Sequence, residues 1–185
     1  MKTAGQASKL NTVRMTQIAL MTAIICVVSP WVIVVPFSPV PISLALFAVL
    51  LASYLLGARD GCICCSLYLM LGCLGLPVFS GGVGGPGKLF GPTGGYLIGY
   101  LVAAGISGYA VSHCKGKRIL HLGGMALGVC GCYVLGTLWL CISMDINLWE
   151  GLLIGVLPYV PADMVKVALV CILGHELRKR LRKGL

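Results

Sequence analysis

Long stretches without a single charged side chain constrain this sequence more than any other feature. No Asp, Glu, Lys or Arg occurs in residues 15–58, 61–87, 89–114 or 119–144, and the first of these runs is 44 residues long. A transmembrane helix needs about 20 predominantly apolar residues, with a range of about 17–25. Only 10% of all residues are charged, whereas soluble domains contain about 25%. The exterior of the folded chain must therefore face lipid over most of its surface.

The charge-free runs divide into six candidate transmembrane helices. The first run holds two helices around a proline-rich break, the next three hold one each, and a sixth begins near Pro161. The connection before Pro161 has room for a short surface helix. These patterns predict an all-α, multi-pass protein of the cell membrane that forms a single integral membrane domain over residues 1–185. The predicted helices are 15–35, 42–57, 61–77, 94–112, 119–142 and 161–178.

The basic residues predict how these helices are oriented. With the N-terminus in the cytoplasm, 12 of the 14 Lys and Arg residues fall in cytoplasmic segments, and only Lys88 lies in an external loop. An excess of basic residues in short cytoplasmic loops is the rule for membrane proteins. The rule places both termini in the cytoplasm and accounts for the net charge of +9 without nucleic acid as a partner. The basic C-terminal tail suits anionic lipid headgroups. The cytoplasmic basic residues are Lys2, Lys9, Arg14, Arg59, Lys115, Lys117, Arg118, Arg178, Lys179, Arg180, Arg182 and Lys183.

Two opposite charges interrupt the last apolar helix. Asp163 and Lys166 are three residues apart, so they share one face of the helix. A charged side chain at the bilayer centre costs about 2.5–3.5 kcal/mol on insertion scales, and such residues usually mark a functional site. Asp163 near a helix N-terminus also suits the helix dipole, but Lys166 opposes that dipole. Capping alone therefore does not explain the pair. Lys166 could instead snorkel outward or simply neutralise Asp163, but we predict that both side chains bind a ligand.

The segment between the third and fourth helices is unusually rich in glycine, with eight glycines among residues 80–95. Residues 82–88 match the G-x-x-x-x-G-K pattern of phosphate-binding loops, but a membrane helix precedes them and Leu89 replaces the usual Ser or Thr. We therefore expect no ATP binding by this chain. Glycine lets a backbone approach a ligand closely. The segment is either a plain linker or a lid that aromatic side chains such as Phe79 and Tyr96 fold over a pocket.

The sequence offers no set of residues for catalysis or for metal binding. Nine of the ten cysteines lie in apolar spans, and the cluster Cys62, Cys64, Cys65 lacks a second Cys or His pair at zinc spacing. His113, His121 and His175 all fall near the cytoplasmic side, away from Asp163. We expect a protein that is not an enzyme, with no metal and no cofactor.

Small residues four apart occur on two of the predicted helices. Ala19 and Ala23 lie on the first helix, and Gly95, Gly99 and Ala103 lie on the fourth. Such spacing lets helix backbones approach closely in lipid. The faces could pack within this protein or against the helices of a partner.

Four segments spread over nearly the whole chain form a combined pattern. They are residues 35–43 (VPFSPVPIS), 76–82 (LPVFSGG), 91–97 (GPTGGYL) and 157–166 (LPYVPADMVK). Together they resemble the BioY family, the biotin-specific substrate-binding components of energy-coupling-factor (ECF) transporters. The sequence departs from the family pattern in two places: Ala45-Leu46 stands where the family commonly has Gln-Thr, and Ala162 replaces the glycine of Pro-Gly-Asp.

The resemblance implies a bundle of six transmembrane helices with an outward-facing biotin site, capped by the loops after helices one and three. It implies that Ala19 and Ala23 dock onto a transmembrane coupling subunit, which works with two ATPases. Biotin would be captured outside and delivered inward when that module hydrolyses ATP. The ligand-binding residues expected from the matching segments are Asp163, Lys166, Thr93, Tyr96, Phe79 and Ser80.

Several alternatives remain open from the sequence. The same architecture could carry another vitamin, or the chain could be a membrane enzyme or an assembly factor without a transport role. The protein could also work alone as a homo-oligomer, since nothing in the chain fixes its partners. A passive channel is disfavoured because none of the predicted spans has a polar stripe.

Overall fold

The structure is a computed structural model that describes residues 4–33, 38–114 and 118–183, with side chains described between residues 12 and 180 of those ranges. This part of the chain is mostly helical and contains one antiparallel pair of short strands, Val32–Ile33 (β1) and Ile42–Ser43 (β2). The helices are Ala4–Val28 (α1), Ala45–Leu56 (α2), Ala58–Cys73 (α3), Pro86–Phe90 (α4), Gly94–His113 (α5), Arg118–Met144 (α6), Leu148–Gly155 (α7) and Val160–Lys183 (α8).

Some features used in the sequence analysis lie outside the described residues. They are part of the proline-rich connector and of the basic cytoplasmic segments. The backbone of Lys9, Arg182 and Lys183 is helical, but their side chains are likewise not described. Among the residues of these features, the ones that lie wholly outside the description are Lys2, Val35, Pro36, Phe37, Lys115 and Lys117.

The predicted first helix, 15–35, is wrong at both ends. The helix α1 already begins at Ala4 and ends at Val28, because Pro30 disfavours helical geometry at the residue before it. The chain then extends into β1, where Val32 pairs with Ser43 and Ile33 with Ile42. The same pairing moves the start of the predicted second helix from residue 42 to Ala45.

The predicted third helix, 61–77, is displaced towards the N-terminus and spans Ala58–Cys73. A single residue separates it from α2: Gly57 has φ +89°, a conformation that glycine adopts without strain. At the other end Gly75 has φ +100°, and its N–H donates to the carbonyl of Gly72, which ends the helix before Pro77 is reached. The helices α5, α6 and α8 lie within a few residues of their predicted bounds, and α7 occupies the connection where a short helix was expected.

The helices differ in whether they are long and apolar enough to cross a bilayer by themselves. Among the described residues, α5 and α6 are long and apolar enough to cross a bilayer, and the bent pair α7–α8, with 52° between its parts, forms a third span if taken together. Two shorter apolar helices are Thr12–Val28 and Ala45–Leu56. Twelve residues of α2 rise about 18 Å, which is less than the hydrocarbon core of about 30 Å.

Glycine contacts bring α5 and α6 together along their length. A Cβ atom on Gly99 would lie 2.8 Å from the Sγ of Cys132, and one on Gly128 would lie 2.9 Å from the carbonyl oxygen of Ala103. Only glycine allows backbones this close. The small residues of α5 therefore pack within the protein, which is the first of the two alternatives that their spacing left open.

The helix α2 lies at the centre of the bundle, against α1, α3, α5 and α8. Its residues Val49, Leu50 and Tyr54 are almost fully buried. Large apolar side chains cover much of the outside instead, among them Val27, Leu127 and Ile142, each more than 60% exposed. An exterior of this kind suits lipid as the surrounding solvent.

Candidate functional site

The charged pair predicted from the sequence is buried at the N-terminal end of α8. Asp163 and Lys166 are each only 7% exposed, and the Nζ of Lys166 lies 2.7 Å from Oδ1 of Asp163. The ammonium also donates a hydrogen bond of 2.8 Å to the backbone carbonyl of Ser43, the last residue of β2. The short strand therefore fixes the lysine from the opposite side of the site.

Tyr133 on α6 completes the surroundings of the carboxylate. Its hydroxyl donates to Oδ2 of Asp163 at 2.6 Å, while Oδ1 accepts from Lys166. Each carboxylate oxygen keeps a further lone pair, and Lys166 keeps a third N–H that no described residue engages. A buried ion pair is tolerated when its charges are compensated and hydrogen-bonded, as they are at this site. The group can thus both donate to and accept from a polar ligand.

A cavity of about 40 Å³ lies beside this pair, between α2, α5, α6 and α8. Leu46 contributes an apolar wall. The rest of the wall is mainly aromatic and aliphatic, with hydroxyl groups on its serine and tyrosines, and Asp163 and Lys166 are the charged residues of this lining. The lining comprises Val40, Pro41, Ile42, Ser43, Leu46, Tyr96, Tyr100, Cys132, Tyr133, Gly155, Tyr159, Asp163 and Lys166.

Residues 38–41, just before β2, form a cover over this cavity. Hydrogen bonds that involve hydroxyl groups hold this cover in place. The hydroxyl of Tyr159 contacts the carbonyl oxygen of Val40 and lies 2.6 Å from Oγ of Ser38. Ser38 in turn donates to the carbonyl of Ile154 in α7 at 2.8 Å. Residues 38–41 are therefore tied to the α7–α8 region, and opening the cavity on this side requires those bonds to break.

A second cavity of about 20 Å³ lies next to the first, towards the glycine-rich segment. The two cavities share Val40, Pro41, Tyr96 and Tyr100 in their walls. Of the predicted ligand residues, Tyr96 therefore lines both cavities, while Ser80 and Thr93 line the one next to Asp163 and Lys166. The lining of the second cavity comprises Val40, Pro41, Ser80, Lys88, Thr93, Tyr96, Leu97 and Tyr100.

Phe79 lies apart from the other predicted ligand residues. It is fully buried and lines neither cavity; its ring packs edge-on against Tyr68, with 5.5 Å between centroids. Its backbone pairs with Val83, and a Cβ atom on Gly72 would lie only 2.1 Å from the Phe79 ring. Phe79 therefore anchors the glycine-rich segment to α3, in line with the lid interpretation of this loop.

The glycine-rich segment is folded over this end of the bundle as a series of turns. Gly81, Gly82 and Gly85 all have positive φ, and the N–H of Gly81 donates to the carbonyl of Pro30 at the end of α1. The short helix α4 then places Lys88 against the second cavity, while Phe90 is 70% exposed.

The two alanines predicted to dock onto a partner lie on an exposed face of α1. Ala19 and Ala23 are both exposed, as is Val27 one turn further on, whereas Thr22 and Ile25 are buried on the other face. The described part of the chain therefore leaves this small-residue face uncovered. Docking onto a partner remains a prediction.

The cysteine and histidine side chains in the described part of the chain are possible metal ligands by residue type. No group of three His, Cys, Asp or Glu that could hold a metal ion occurs there. His121 is buried between the hydroxyl of Tyr54, at 3.2 Å, and the carbonyl of Cys114, at 2.8 Å.

Several residues of the site could not be identified from sequence motifs. Tyr133 and the carbonyl of Ser43 contact the charged pair from 30 and 123 residues away in the chain. Tyr100, Cys132 and Tyr159 also line the first cavity. The available signal was weak: Tyr133 is the single tyrosine of its predicted span, 119–142, and buried tyrosines usually find a hydrogen-bond partner.

Comparison with known proteins identifies the family. The sequence profile of the BioY family matches residues 1–183. The protein named biotin transporter BioY2 from Lactococcus lactis subsp. cremoris is 38% identical over 167 residues, covering 90% of this chain and 91% of that protein. Biotin transporter BioY from Thermotoga maritima is 34% identical over 160 residues, covering 86% and 92% respectively.

A solved structure has the same fold. It is the crystal structure, at 2.1 Å, of the S-component for biotin from an ECF-type ABC transporter, with a TM-score of 0.86 and 32% identity over 97% of this chain and 95% of that chain. The family profile, the two relatives and the solved structure thus agree with one another. The chain belongs to the BioY family.

Proposed function

We propose that this chain is the biotin-binding S-component of an ECF-type vitamin importer. The observation that carries the proposal is the buried Asp163–Lys166 pair beside a largely apolar cavity, in a member of the BioY family. An apolar pocket with a few convergent polar groups is the usual form of a small-molecule site.

The chemistry of the ion pair suits the ureido ring of biotin. That ring offers two N–H donors and one carbonyl acceptor. The carboxylate of Asp163 accepts hydrogen bonds only, and it keeps lone pairs after its contacts with Lys166 and Tyr133. The ammonium of Lys166 donates only. The pair therefore presents one acceptor and one donor side by side, which complements an N–H group next to a carbonyl.

Both cavities are smaller than a biotin molecule. Their volumes of about 40 and 20 Å³ are room for a few water molecules, since one water needs about 10–15 Å³ on this measure. Binding therefore requires the cover formed by residues 38–41, or the glycine-rich segment, to move outward. The positive-φ glycines at 81, 82 and 85 allow such rearrangement at low steric cost.

The proposed topology has six transmembrane helices in the cell membrane, with both termini in the cytoplasm. The asymmetric distribution of Lys and Arg supports it. The position of the cavities also supports this topology. They lie with the glycine-rich segment and Lys88 at the end of the bundle opposite Arg14 and Asp60. Arg14 and Asp60 form an ion pair that joins α1 to α3.

The proposed partners are a transmembrane coupling subunit and two ATPases, which would hydrolyse ATP in place of this chain. The exposed face of Ala19 and Ala23 supports docking, because small side chains let a second helix approach closely. A homo-oligomer that takes up biotin without such partners is the alternative arrangement. Co-purification of the chain with ATPase subunits from its native membrane distinguishes the two.

Titration of the detergent-purified chain with labelled biotin tests the proposal. We expect saturable binding, with competition by unlabelled biotin and none by thiamine or riboflavin. Competition by another vitamin in place of biotin would assign the same architecture to that vitamin. Absence of binding to any of them, together with turnover of a substrate or a stable protein partner, would favour a membrane enzyme or an assembly factor.

A further inference from the structure

A groove of about 410 Å³ lies on the outside of the bundle, between α6 and α7. It is much larger than the cavities of about 40 and 20 Å³ at the candidate site. Each helix supplies a row of side chains four residues apart, so each row follows one face of its helix. The rows of this α6–α7 groove are Cys130, Val134 and Leu138 on α6, and Leu148, Leu152 and Val156 along α7 and at its end.

The walls of the groove offer water few partners. Two further side chains of the lining carry hydroxyl groups, and both are engaged elsewhere. The hydroxyl of Tyr133 donates to Asp163 at 2.6 Å. The hydroxyl of Thr137 lies 3.5 Å from that of Tyr96. Because a bound water molecule needs two to four polar partners, an apolar occupant suits this groove better than water.

The length of the groove matches one leaflet of a bilayer. The helix α6 is long and apolar enough to cross the membrane, and α7 forms a span together with α8. Each row extends over eight positions of its helix, which is a rise of about 12 Å. The hydrocarbon core is about 30 Å thick, so each row is nearly as long as one leaflet is thick. The groove therefore fits the acyl chain of a lipid.

Trp149 indicates which end of the groove lies at the membrane surface. Its side chain is 71% exposed, next to Leu148 at the start of α7. Tryptophan is enriched at the level of the lipid headgroups. The connection from α6 to α7 is external in the proposed topology, so the choice of leaflet rests on the proposed function. The groove then opens towards the headgroups of the external leaflet.

Two acidic side chains lie at this end of the groove. Asp145 precedes α7 and Glu150 belongs to its first turn, and both are exposed. No Lys or Arg occurs in residues 119–165, so this segment contributes no basic charge that would balance them. Acidic side chains repel an anionic headgroup and attract an ammonium group. The opening therefore favours phosphatidylethanolamine over phosphatidylglycerol.

We propose that the α6–α7 groove binds one acyl chain of an external-leaflet phospholipid whose headgroup carries an amine. The acyl chain packs against Tyr133 from the lipid side, since Tyr133 lines both the groove and the first cavity. The lipid thereby supports from behind the residue that donates to Asp163.

Native mass spectrometry of the detergent-purified full chain, with added phosphatidylethanolamine, tests the proposal. We expect the wild type to bind one lipid, in an adduct that saturates as more lipid is added. Leu152→Trp fills the groove and should weaken lipid binding at least about tenfold, because losing contact with two methylene groups has an effect of this size. Leu127→Trp adds the same bulk to an exposed leucine of α6 outside the groove and should bind the lipid as the wild type does.

The headgroup is tested with phosphatidylglycerol that carries the same acyl chains. The wild type should prefer phosphatidylethanolamine by about 5- to 25-fold, since one charge near the membrane surface contributes a factor of about five. The double variant Asp145→Asn, Glu150→Gln should lose most of this preference. Equal binding of the two lipids by the wild type, or a preference for phosphatidylglycerol, would overturn the proposal.

Labelled-biotin titration shows whether the groove variants are folded. Leu152→Trp should bind biotin within about threefold of the wild type, because the indole takes the place of the acyl chain behind Tyr133. If this variant does not fold, Val134→Phe narrows the groove from the opposite wall and replaces it. Undiminished lipid binding by the folded variant would overturn the inference. A wild-type dimer that Leu152→Trp separates into monomers would assign the groove to a second copy of the chain and overturn it as well.

The wild type itself separates this inference from the proposed function. Binding of biotin without a saturable lipid adduct would overturn the lipid groove and leave the proposed function standing. A saturable lipid adduct without affinity for biotin would support the groove and overturn the proposed function.

Discussion

Removing one charge of the buried pair tests whether Asp163 and Lys166 are held for a ligand or for the fold. Three variants serve this purpose: Asp163→Asn, Lys166→Met and the double variant. Asn retains the shape of Asp, and Met retains most of the lysine stem, so packing changes little. Each single variant leaves one buried group without its partner, whereas the double variant removes both charges together.

The size of the effect follows from the distance between the charges. At 2.7 Å and an effective dielectric constant of about 20, Coulomb's law gives an attraction of about 6 kcal/mol. Breaking a buried pair by removing one partner typically costs about 3–5 kcal/mol, while replacing both charges is often neutral. We therefore expect each single variant to be about 3–5 kcal/mol less stable than the wild type, with the double variant recovering most of that loss.

Thermal unfolding without ligand, followed by labelled-biotin titration, measures both properties. A loss of 3–5 kcal/mol corresponds to a melting temperature lower by roughly 6–20 °C for a chain of this size. The double variant should melt near the wild type. All three variants should bind biotin at least about 100-fold more weakly, because each lacks one or both groups that complement the ureido ring.

Two results would refute this reasoning. A double variant as unstable as the single ones would mean that the pair is not a mutually compensating unit. A double variant that melts normally and still binds biotin with wild-type affinity would mean that the charges serve neither the fold nor the ligand.

Three further changes test the surroundings of the site and the docking face. Tyr133→Phe removes the hydroxyl that donates to Asp163, and we expect the ligand-free protein to lose about 1–3 kcal/mol in thermal unfolding. Tyr159→Phe frees the cover over the first cavity, so biotin should dissociate about 2- to 10-fold faster in a filter-binding chase. Leu at both positions 19 and 23 should leave biotin affinity unchanged and abolish uptake by cells that supply the ECF module, because the bulkier face prevents helix contact.

Each of these changes has a matched control. Tyr109→Phe alters a 60% exposed tyrosine and should leave stability unchanged, and Val134→Leu enlarges an exposed side chain on α6 and should leave uptake unchanged. An unaltered melting temperature in Tyr133→Phe would argue against its hydrogen bond. Unaltered dissociation in Tyr159→Phe would mean that entry occurs elsewhere. Normal uptake with Leu at 19 and 23 would exclude this face as the docking surface.

The sequence could predict those site residues whose importance follows from their own position in a helix. Asp163 and Lys166 stand out because charge within an apolar helix is costly, and their spacing alone places them on one face. The Tyr133 and Ser43 contacts depend on how α6 and β2 approach α8, which no local pattern encodes. Phe79 shows the reverse case: a matching segment suggested it as a ligand contact, whereas its ring is buried beside Gly72 and lines neither cavity.

The ends of the helices, too, were predictable only where the local sequence defines them. The long helices α5 and α6 were predictable because uninterrupted apolar runs define them. The early end of α1 at Val28 was harder to predict. The short apolar sequence between Ser29 and Val35 is compatible with a helix as well as with a strand. The pairing of β1 with β2 decides between them, and that pairing joins residues nine and eleven apart in the chain.

The contact between Gly72 and Phe79 ties the evolution of two positions together. Because a methyl group at 72 would overlap the ring at 79, with 2.1 Å between the two carbons, position 72 cannot gain a side chain while the ring is present. A lineage that gains a side chain at 72 must first lose the aromatic ring at 79, which would leave the hydrogen bond from the Gly85 N–H to the Gly72 carbonyl to hold the glycine-rich segment against α3. Aligned relatives are therefore expected to show glycine and a large ring together, or a larger residue at 72 with a small one at 79.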